Sequence, residues 1–334
     1  MPENNEKELN YYYELGIREL DSGNIQEAIE AFKKAIETNP EDPRPYSNLG
    51  IAYELARNFE LARKAYEKAI DINPANASTI NNLAGLSLLE GQPDEAVKLY
   101  ESAISRDPMY IEPYLNIARL FMEANALHMA EPYARKIIKV DPDNIEAHNI
   151  LGIITNLTDR PDEAVGHFQD VLRTDANQPG VYSNLGTAYR DTGDKRRAII
   201  AFEKAIELNP HTLTAHNNLG VLYRETGDFD KAETLFRHSI KLFPENPFSY
   251  FNLAELYIET GDYAKALENL KRYIDIVPLD MDNLFKTIGI ARMADRLGDV
   301  VPEMERFIGE SASDDSRSDT VRQWLSMADR SLSK

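Results

Sequence analysis

The chain has 334 residues, of which 37 are Lys or Arg and 56 are Asp or Glu, so its net charge is −19. This acidic balance argues against nucleic acid or an anionic membrane as the main partner, because both would repel the protein. The chain has no cysteine, no apolar run of roughly 20 residues and a polar first segment, MPENNEKELN, so we expect a cytoplasmic protein without disulfides or membrane insertion.

A polar N-terminal segment, residues 1–8, precedes a pattern that repeats every 34 residues from Leu9 onward. The pattern predicts eight regular repeats without insertion, at 9–42, 43–76, 77–110, 111–144, 145–178, 179–212, 213–246 and 247–280. We number positions within a repeat as offsets 1 to 34. Apolar residues at offsets 4, 7, 8 and 11 form one stripe on a helix, and a second stripe defines a second helix.

Small residues occupy fixed positions in this pattern. Offset 8 is always Gly or Ala and offset 20 is always Ala, which lets the two helix axes of a repeat approach closely. Offset 15 is Gly in five repeats, as expected for a left-handed turn that ends the first helix. Offset 32 is Pro in seven repeats and ends the second helix. Each repeat is therefore predicted to be a helix–turn–helix, which must stack on others to bury its apolar faces.

The pattern resembles that of the tetratricopeptide repeat family over residues 9–280. The sixth repeat carries the match most clearly, through Tyr182, Leu185, Gly186, Tyr189, Ala198, Phe202 and Pro210. The resemblance implies an all-α fold, a right-handed superhelix or α-solenoid whose concave side is lined by the first helix of each pair. The resemblance also implies that a protein or peptide partner binds in this concave groove.

The C-terminal part departs from this regularity. Residues 281–310 predict a degenerate ninth helical pair, since offset 20 is Val300 there in place of Ala. Residues 311–317 are a polar linker, and residues 318–334 predict a capping helix with Val321 and Trp324 on its apolar face. We interpret Trp324 as a packing residue.

No catalytic or cofactor motif stands out in the sequence. The six His lack metal-ligand spacing, and no glycine-rich phosphate loop or dinucleotide fingerprint is present. His148 and His216 stand at offset 4, where other repeats carry Tyr, so we expect them to pack. The basic triplet 195–197 opens a second helix and is interpreted as a solvated surface. We expect a protein that is not an enzyme and needs no metal or cofactor.

Asparagine recurs at offset 6, inside the first helix. It is present in six of the eight repeats, as Asn48, Asn82, Asn116, Asn184, Asn218 and Asn252. An Asn inside a helix costs about 0.5 kcal/mol relative to Ala, so six cost roughly 3 kcal/mol. Inheritance from duplication or bonds to a neighbouring repeat would explain them, but a carboxamide can also pair with the N–H and C=O of a bound peptide. The column is similar to the asparagine ladder of the O-linked N-acetylglucosamine transferases, and this similarity implies an extended polypeptide as ligand. It does not extend to a transferase, because no transferase domain fits in the 54 residues after the repeats.

Other side chains are expected to flank this ladder on the concave side. We assign Arg119, Arg190, Arg224, Phe248 and Phe251 to the same binding groove. The fifth repeat breaks the pattern, with Ile150 at the ladder position, Thr155 where the family often has Tyr, and Ala176 in place of Pro. We therefore predict a break or hinge there, between the first three Asn rungs and the last three.

Three functions remain open at this point. The first is an adaptor that binds an extended or helical segment of another protein in its groove. The second is a self-assembling scaffold, a homo-oligomer in which the groove receives a terminus of another copy. The third is a substrate-recruiting partner of an enzyme encoded separately.

Overall fold

A computed structural model describes residues 2–278, 280–310 and 317–332. Its regular part contains sixteen helices, two for each 34-residue repeat. The first helices of the eight repeats are α1 (Pro2–Asp21), α3 (Pro43–Leu55), α5 (Ala77–Leu89), α7 (Glu112–Glu123), α9 (Ile145–Leu157), α11 (Pro179–Asp191), α13 (Leu213–Glu225) and α15 (Pro247–Thr260). The second helices are α2 (Ile25–Thr38), α4 (Phe59–Ile72), α6 (Pro93–Arg106), α8 (Leu127–Val140), α10 (Pro161–Thr174), α12 (Lys195–Leu208), α14 (Phe229–Leu242) and α16 (Tyr263–Ile276). The predicted all-α class of stacked helical pairs is confirmed.

The chain divides into two compact units, Met1–Ile154 and Thr155–Lys334. Within unit 1, α1 packs on α2 and α3, and α3 packs on α4 and α5. Within unit 2, α11 packs on α12, and α12 in turn packs on α13. The division falls inside α9, in the repeat where the sequence pattern is broken; a hinge at this place stays a prediction.

The small residue at offset 8 makes room for an aromatic ring from the second helix of the same repeat. A methyl group added at Gly186 would lie 2.7 Å from two ring carbons of Phe202, and one at Gly220 would lie 2.5 Å from the ring of Phe236. Both rings are fully buried. The eighth repeat has Ala254 at this position, and its partner at offset 24 is the non-aromatic Leu270. The predicted close approach of the two helices is confirmed.

The turn between the helices of a pair uses the left-handed backbone region at offset 15. The five glycines predicted to adopt it have φ between 76° and 84°. In four other helical pairs the same position is held by a residue with a side chain, as Arg57, Asn125, Asp159 and Asp295, with φ between 54° and 60°. The turn is therefore kept even where the sequence lacks the residue that adopts it without steric cost.

Offset 4 connects a repeat to the end of the one before it. The hydroxyl of Tyr114 donates to the carbonyl oxygen of Pro108 at 3.3 Å. In the seventh repeat the Nε2 atom of His216 makes the equivalent bond to the carbonyl of Pro210 at 2.9 Å. His148 does the same with its own preceding proline, and both His are buried. Burial lowers the pKa of His216 below its ordinary value.

The two ends of the chain differ from a plain repeat. Helix α1 begins at Pro2, so residues that we assigned to a polar segment ahead of the first repeat extend its first helix instead. This segment is rich in Glu and Lys, which have good helix propensity, and no strong helix breaker follows Pro2. At the other end, α17 (Met281–Met293) and α18 (Val301–Glu310) flank a short 3₁₀ helix, Leu297–Val300.

The last helix, α19 (Arg317–Leu332), packs on this C-terminal pair. Its Val321 and Ala328 are fully buried, and Trp324 stacks on Phe285 with ring centroids 5.8 Å apart. Residues 311–316 of the predicted linker lie outside the described residues. Among the helices described, none is both long and apolar enough to span a bilayer.

Candidate binding face

The six ladder asparagines occupy the same register on six first helices. Unit 1 contains Asn48, Asn82 and Asn116 on α3, α5 and α7, and unit 2 contains Asn184, Asn218 and Asn252 on α11, α13 and α15. All six side chains are half-buried. Within unit 1, α1 contacts α3, α3 contacts α5, and Asn116 of α7 is hydrogen-bonded to Asn81 of α5; within unit 2, α11 contacts α13 and α13 contacts α15. Each unit therefore has a continuous surface of first helices that carries three Asn, which we call its first-helix face.

Three of the six carboxamides are hydrogen-bonded to the first helix of the preceding repeat. The Nδ2 atom of Asn48 donates to the hydroxyl of Tyr13 at 3.0 Å. Asn116 donates to the Oδ1 atom of Asn81 at 3.1 Å. In unit 2, Asn218 donates to the hydroxyl of Thr187 at 3.4 Å. These three amides join adjacent repeats, which is one of the explanations that the sequence left open.

The other three carboxamides, those of Asn82, Asn184 and Asn252, make no side-chain hydrogen bond within the described part of the chain. A reason is visible in the preceding repeat, where offset 9 supplies the partner of Asn218. For Asn252, also in unit 2, the residue at that offset is Val221. An aliphatic side chain offers neither donor nor acceptor. These half-exposed amides keep their full hydrogen-bonding capacity.

The three arginines assigned to the groove are each paired with a carboxylate. Arg119 is bonded to Glu146 of the next repeat, and this bond raises its pKa above the ordinary value. Arg190 pairs with the adjacent Asp191 at 3.2 Å, and Arg224 lies 3.8 Å from Glu259 of the next repeat. Neutralised in this way, the arginines do not present a cluster of free positive charge to a ligand.

The apolar part of the predicted site lies on α15. Phe248 is 64% exposed, which is unusual for a large aromatic side chain. Phe251 is half-buried and packs on Tyr273, with ring centroids 5.4 Å apart. The ammonium of Lys286 on α17 lies 5.1 Å from the centroid of the Phe251 ring. The sequence interpretation missed Lys286, although it stands at offset 6 of the ninth pair and so continues the register of the ladder.

Lys286 also repeats the bonding pattern of the ladder. It is ion-paired with Glu255, which stands at offset 9 of the preceding repeat. Asn218 and Thr187 are related in the same way. Whether an offset-6 side chain is bonded in unit 2 therefore follows the residue at offset 9 of the repeat before.

The break in the ladder has a structural basis. Ile150 is only 7% exposed and packs with Ala118, Ala130 and Ile154 in a cluster of unit 1. The position that carries Asn in the neighbouring repeats is used here for the hydrophobic core. No carboxamide can replace this contribution without loss of apolar burial.

Family models for the tetratricopeptide repeat match residues 13–77, 65–98, 87–154, 179–212 and 211–278. The chain belongs to the tetratricopeptide repeat family. Proteins with this repeat are generally protein–protein interaction scaffolds. A comparison with curated proteins finds no match.

Several solved structures resemble this tetratricopeptide repeat chain. A chain of the Cut9–Hcn1 hetero-tetramer of APC/C is 20% identical, with a TM-score of 0.51; the match covers 73% of the present chain and 48% of the other. The present chain thus spans about half the length of that protein and shares its fold. YrrB, described as a protein of this family with an unusual peptide-binding site, is 25% identical over 55% of this chain and 95% of its own, with a TM-score of 0.45. MamA from Desulfovibrio magneticus RS-1 is 21% identical over 50% of this chain and 94% of its own, with a TM-score of 0.48.

Proposed function

We propose that the first-helix faces bind an extended polypeptide segment of a partner protein and hold it by its backbone. The observation that carries the proposal is the group of three unbonded amides, Asn82, Asn184 and Asn252. Each costs the helix stability and forms no hydrogen bond with the described protein in return. The resemblance of the column to the asparagine ladder of the O-linked N-acetylglucosamine transferases supports the same ligand class.

The spacing of the helices suits an extended ligand. Packed helices lie about 8–10 Å apart, and an extended chain advances roughly 3.3 Å per residue. An amide on every first helix would therefore meet every third residue of a bound strand. An Asn that bonds the peptide group recognises the backbone and tolerates many side chains.

Side-chain preference in the ligand would come from the residues around the ladder. In unit 2 the exposed ring of Phe248 offers a contact for an apolar side chain near Asn252. On the ladder-bearing helices α11, α13 and α15 four carboxylates outnumber two arginines: Asp191, Glu225, Glu255 and Glu259 against Arg190 and Arg224. A partner segment with apolar and basic side chains fits this surface better than an acidic one.

The test is the pair of substitutions Asn82→Ala and Asn252→Ala, one in each unit. Because neither amide is bonded, we expect each change to raise stability by about 0.5 kcal/mol, as for Asn→Ala inside a helix. Peptides selected on the wild-type protein from a random-peptide display library serve as ligands, and their affinity is measured by fluorescence anisotropy. We expect the double variant to bind them at least several-fold more weakly.

The matched control is Asn269→Ala on α16, an Asn inside a second helix whose Nδ2 atom donates to the carbonyl of Lys265 at 2.8 Å. This variant should bind the selected peptides as the wild type does. Equal affinity of the double variant and the control would refute the ladder as a binding site. Marked destabilisation of the double variant would show that the amides serve the fold.

Other parts of the functional assignment stay predictions. These are the cytoplasmic location, the lack of enzymatic activity and the choice between a partner protein and a second copy as the source of the bound segment. Recruitment of a substrate for an enzyme encoded separately is compatible with the same face. Affinity capture with wild-type and Asn82→Ala/Asn252→Ala proteins, followed by mass spectrometry, distinguishes these sources.

A further inference from the structure

Helix α12 in unit 2 differs from the other second helices on its exposed side. At offset 22 the eight repeats carry Glu30, Lys64, Lys98, Pro132, Gly166, Ile200, Thr234 and Glu268. Only the sixth repeat has a large aliphatic residue there, and Ile200 is 58% exposed. Ile200 therefore departs from the small, polar or charged residues that the other repeats carry at this position.

The charge on the same stripe is also exceptional. Offset 18 carries Arg196 in the sixth repeat, whereas four other repeats carry Asp or Glu there and none carries Lys or Arg. Arg196, Ile200, Glu203 and Glu207 are spaced by four, three and four residues, so they share one face of the helix. Within the described residues Arg196 has no ion pair. The exposed face of α12 therefore begins basic, is apolar in the middle and ends acidic.

Grooves flank this helix on both sides. One has a volume of about 420 Å³ and lies between α12 and α14, with Leu219 and Tyr223 of α13 as its floor. The other has a volume of about 540 Å³ and lies against α11, with Tyr182 and Tyr189 in its lining. The lining of both grooves is mainly apolar. A ridge with an apolar groove beside it is the shape that receives another helix.

We propose that α12 forms an isologous interface with α12 of a second copy of this chain. In an antiparallel arrangement about a two-fold axis midway along α12, Arg196 of each copy lies opposite Glu207 of the other. The two Ile200 side chains then lie about 4.5 Å apart along the helix axis, from three residues at 1.5 Å each. The exposed face of α12 in each copy then packs into a groove beside α12 of the other copy. The surface is therefore complementary to itself, as a two-fold interface requires.

The remaining charges on α12 are paired within the chain. Lys204 lies 2.7 Å from Glu207, so in the dimer Glu207 is shared between Lys204 and Arg196 of the second copy. In this register Glu203 lies opposite Ile200 of the other copy and about 4.5 Å along the axis from its own symmetry mate. Its carboxylate is turned toward α13, where it accepts a hydrogen bond from the hydroxyl of Tyr223 at 3.1 Å. Arg197 is bonded to Asp194 at 2.6 Å and lies over the ring of Tyr189. The charge pattern of α12 selects the antiparallel orientation, because a parallel one would place Arg196 against Arg196 and Glu207 against Glu207.

Sedimentation velocity of the full chain tests the interface, over about 1–200 µM to include the weak affinities of small interfaces. We expect a monomer–dimer equilibrium for the wild type. Ile200→Glu should raise the dissociation constant about tenfold or more, as for loss of a central apolar contact. Far-UV circular dichroism checks that this variant remains folded.

Charge reversal makes the test specific for the proposed pairing. Arg196→Glu and Glu207→Arg should each weaken the dimer, and the double variant Arg196→Glu/Glu207→Arg should restore it, because the pairs are re-formed with opposite sign. Lys68→Glu on α4, which changes the net charge as Arg196→Glu does, is the control and should leave the equilibrium unchanged. A wild type that is monomeric throughout, a dimer insensitive to Ile200→Glu, or a double variant that is weaker than both single variants would overturn the proposal.

Discussion

The contact between Gly186 and Phe202 allows a quantitative prediction. Gly→Ala inside a helix ordinarily stabilises a protein by about 0.8–1.0 kcal/mol. At Gly186, however, the new methyl carbon would lie 2.7 Å from two carbons of a ring that is fully buried, so the ring or the helix must shift. Overpacking of this kind costs typically 1–3 kcal/mol. We expect Gly186→Ala to lower the free energy of unfolding by about 1 kcal/mol.

The sequence of the eighth repeat suggests the compensating change. There Ala254 stands opposite Leu270, so Ala is found at offset 8 where the facing residue is Leu. In a Phe202→Leu background, Gly186→Ala should therefore recover its usual gain of about 0.8 kcal/mol. The coupling between the two sites, measured by a double-mutant cycle in urea denaturation, should be about 2 kcal/mol.

Gly166 provides the control for this cycle. It lies inside α10, and a methyl group added there would meet no atom within 4 Å. Gly166→Ala should therefore stabilise the protein by about 0.8 kcal/mol. If Gly186→Ala stabilises the protein as much as Gly166→Ala does, the close approach of the helices does not constrain the sequence and the reasoning is wrong.

Three further predictions concern single positions. Burial lowers the pKa of His216 in the folded state. The contribution of this residue to stability is therefore complete above the unfolded pKa of about 6.5 and is lost as the pH falls below it. His216→Tyr, which introduces the residue of several other repeats, should reduce this loss of stability in thermal melts between pH 7 and about pH 5. Arg57 has φ 57°, in the left-handed region, where a residue with a side chain is strained. Arg57→Gly should therefore raise the free energy of unfolding by about 1 kcal/mol, in contrast to the usual effect of Gly. A decrease in that free energy would show that the backbone at Arg57 is not strained. Ile150→Asn, which completes the ladder in sequence, should cost about 3 kcal/mol or more in urea denaturation because it places a carboxamide in the core, and an unchanged midpoint would show that the site is not part of the core.

Much of the fold can be predicted from the sequence because the same residue types recur at the same offsets in most repeats. The stripe, the small residue at offset 8 and the helix-ending Pro recur often enough that drift in one repeat does not hide them. The left-handed turn at Arg57 was not predictable from that residue, since its side chain disfavours the conformation. The signal for this turn was the periodicity, since Gly stands at offset 15 in five other repeats.

The candidate site was less predictable because it depends on pairs of repeats. The register of the Asn column could be obtained from one repeat at a time. The bonding of each Asn could not, since Asn218 is bonded and Asn252 is not, although both occupy offset 6. Thr187 and Val221, at offset 9 of the preceding repeats, make the difference.

This dependence on the neighbour changes how strongly the ladder argues for a ligand. A mid-helix Asn costs about 0.5 kcal/mol, and a hydrogen bond between repeats contributes about 0.5–1.5 kcal/mol, so the bonds of Asn48, Asn116 and Asn218 are enough to explain those residues without any guest. Asn82, Asn184 and Asn252 have no such bond, and for them the helix loses roughly 1.5 kcal/mol in total with no structural gain. Drift toward Ala would be favourable at these three positions if the fold alone acted on them. The argument for a bound strand therefore depends on the three unbonded amides. Substituting them with Ala should weaken peptide binding more than Asn48→Ala does, because the amide of Asn48 is already hydrogen-bonded to Tyr13.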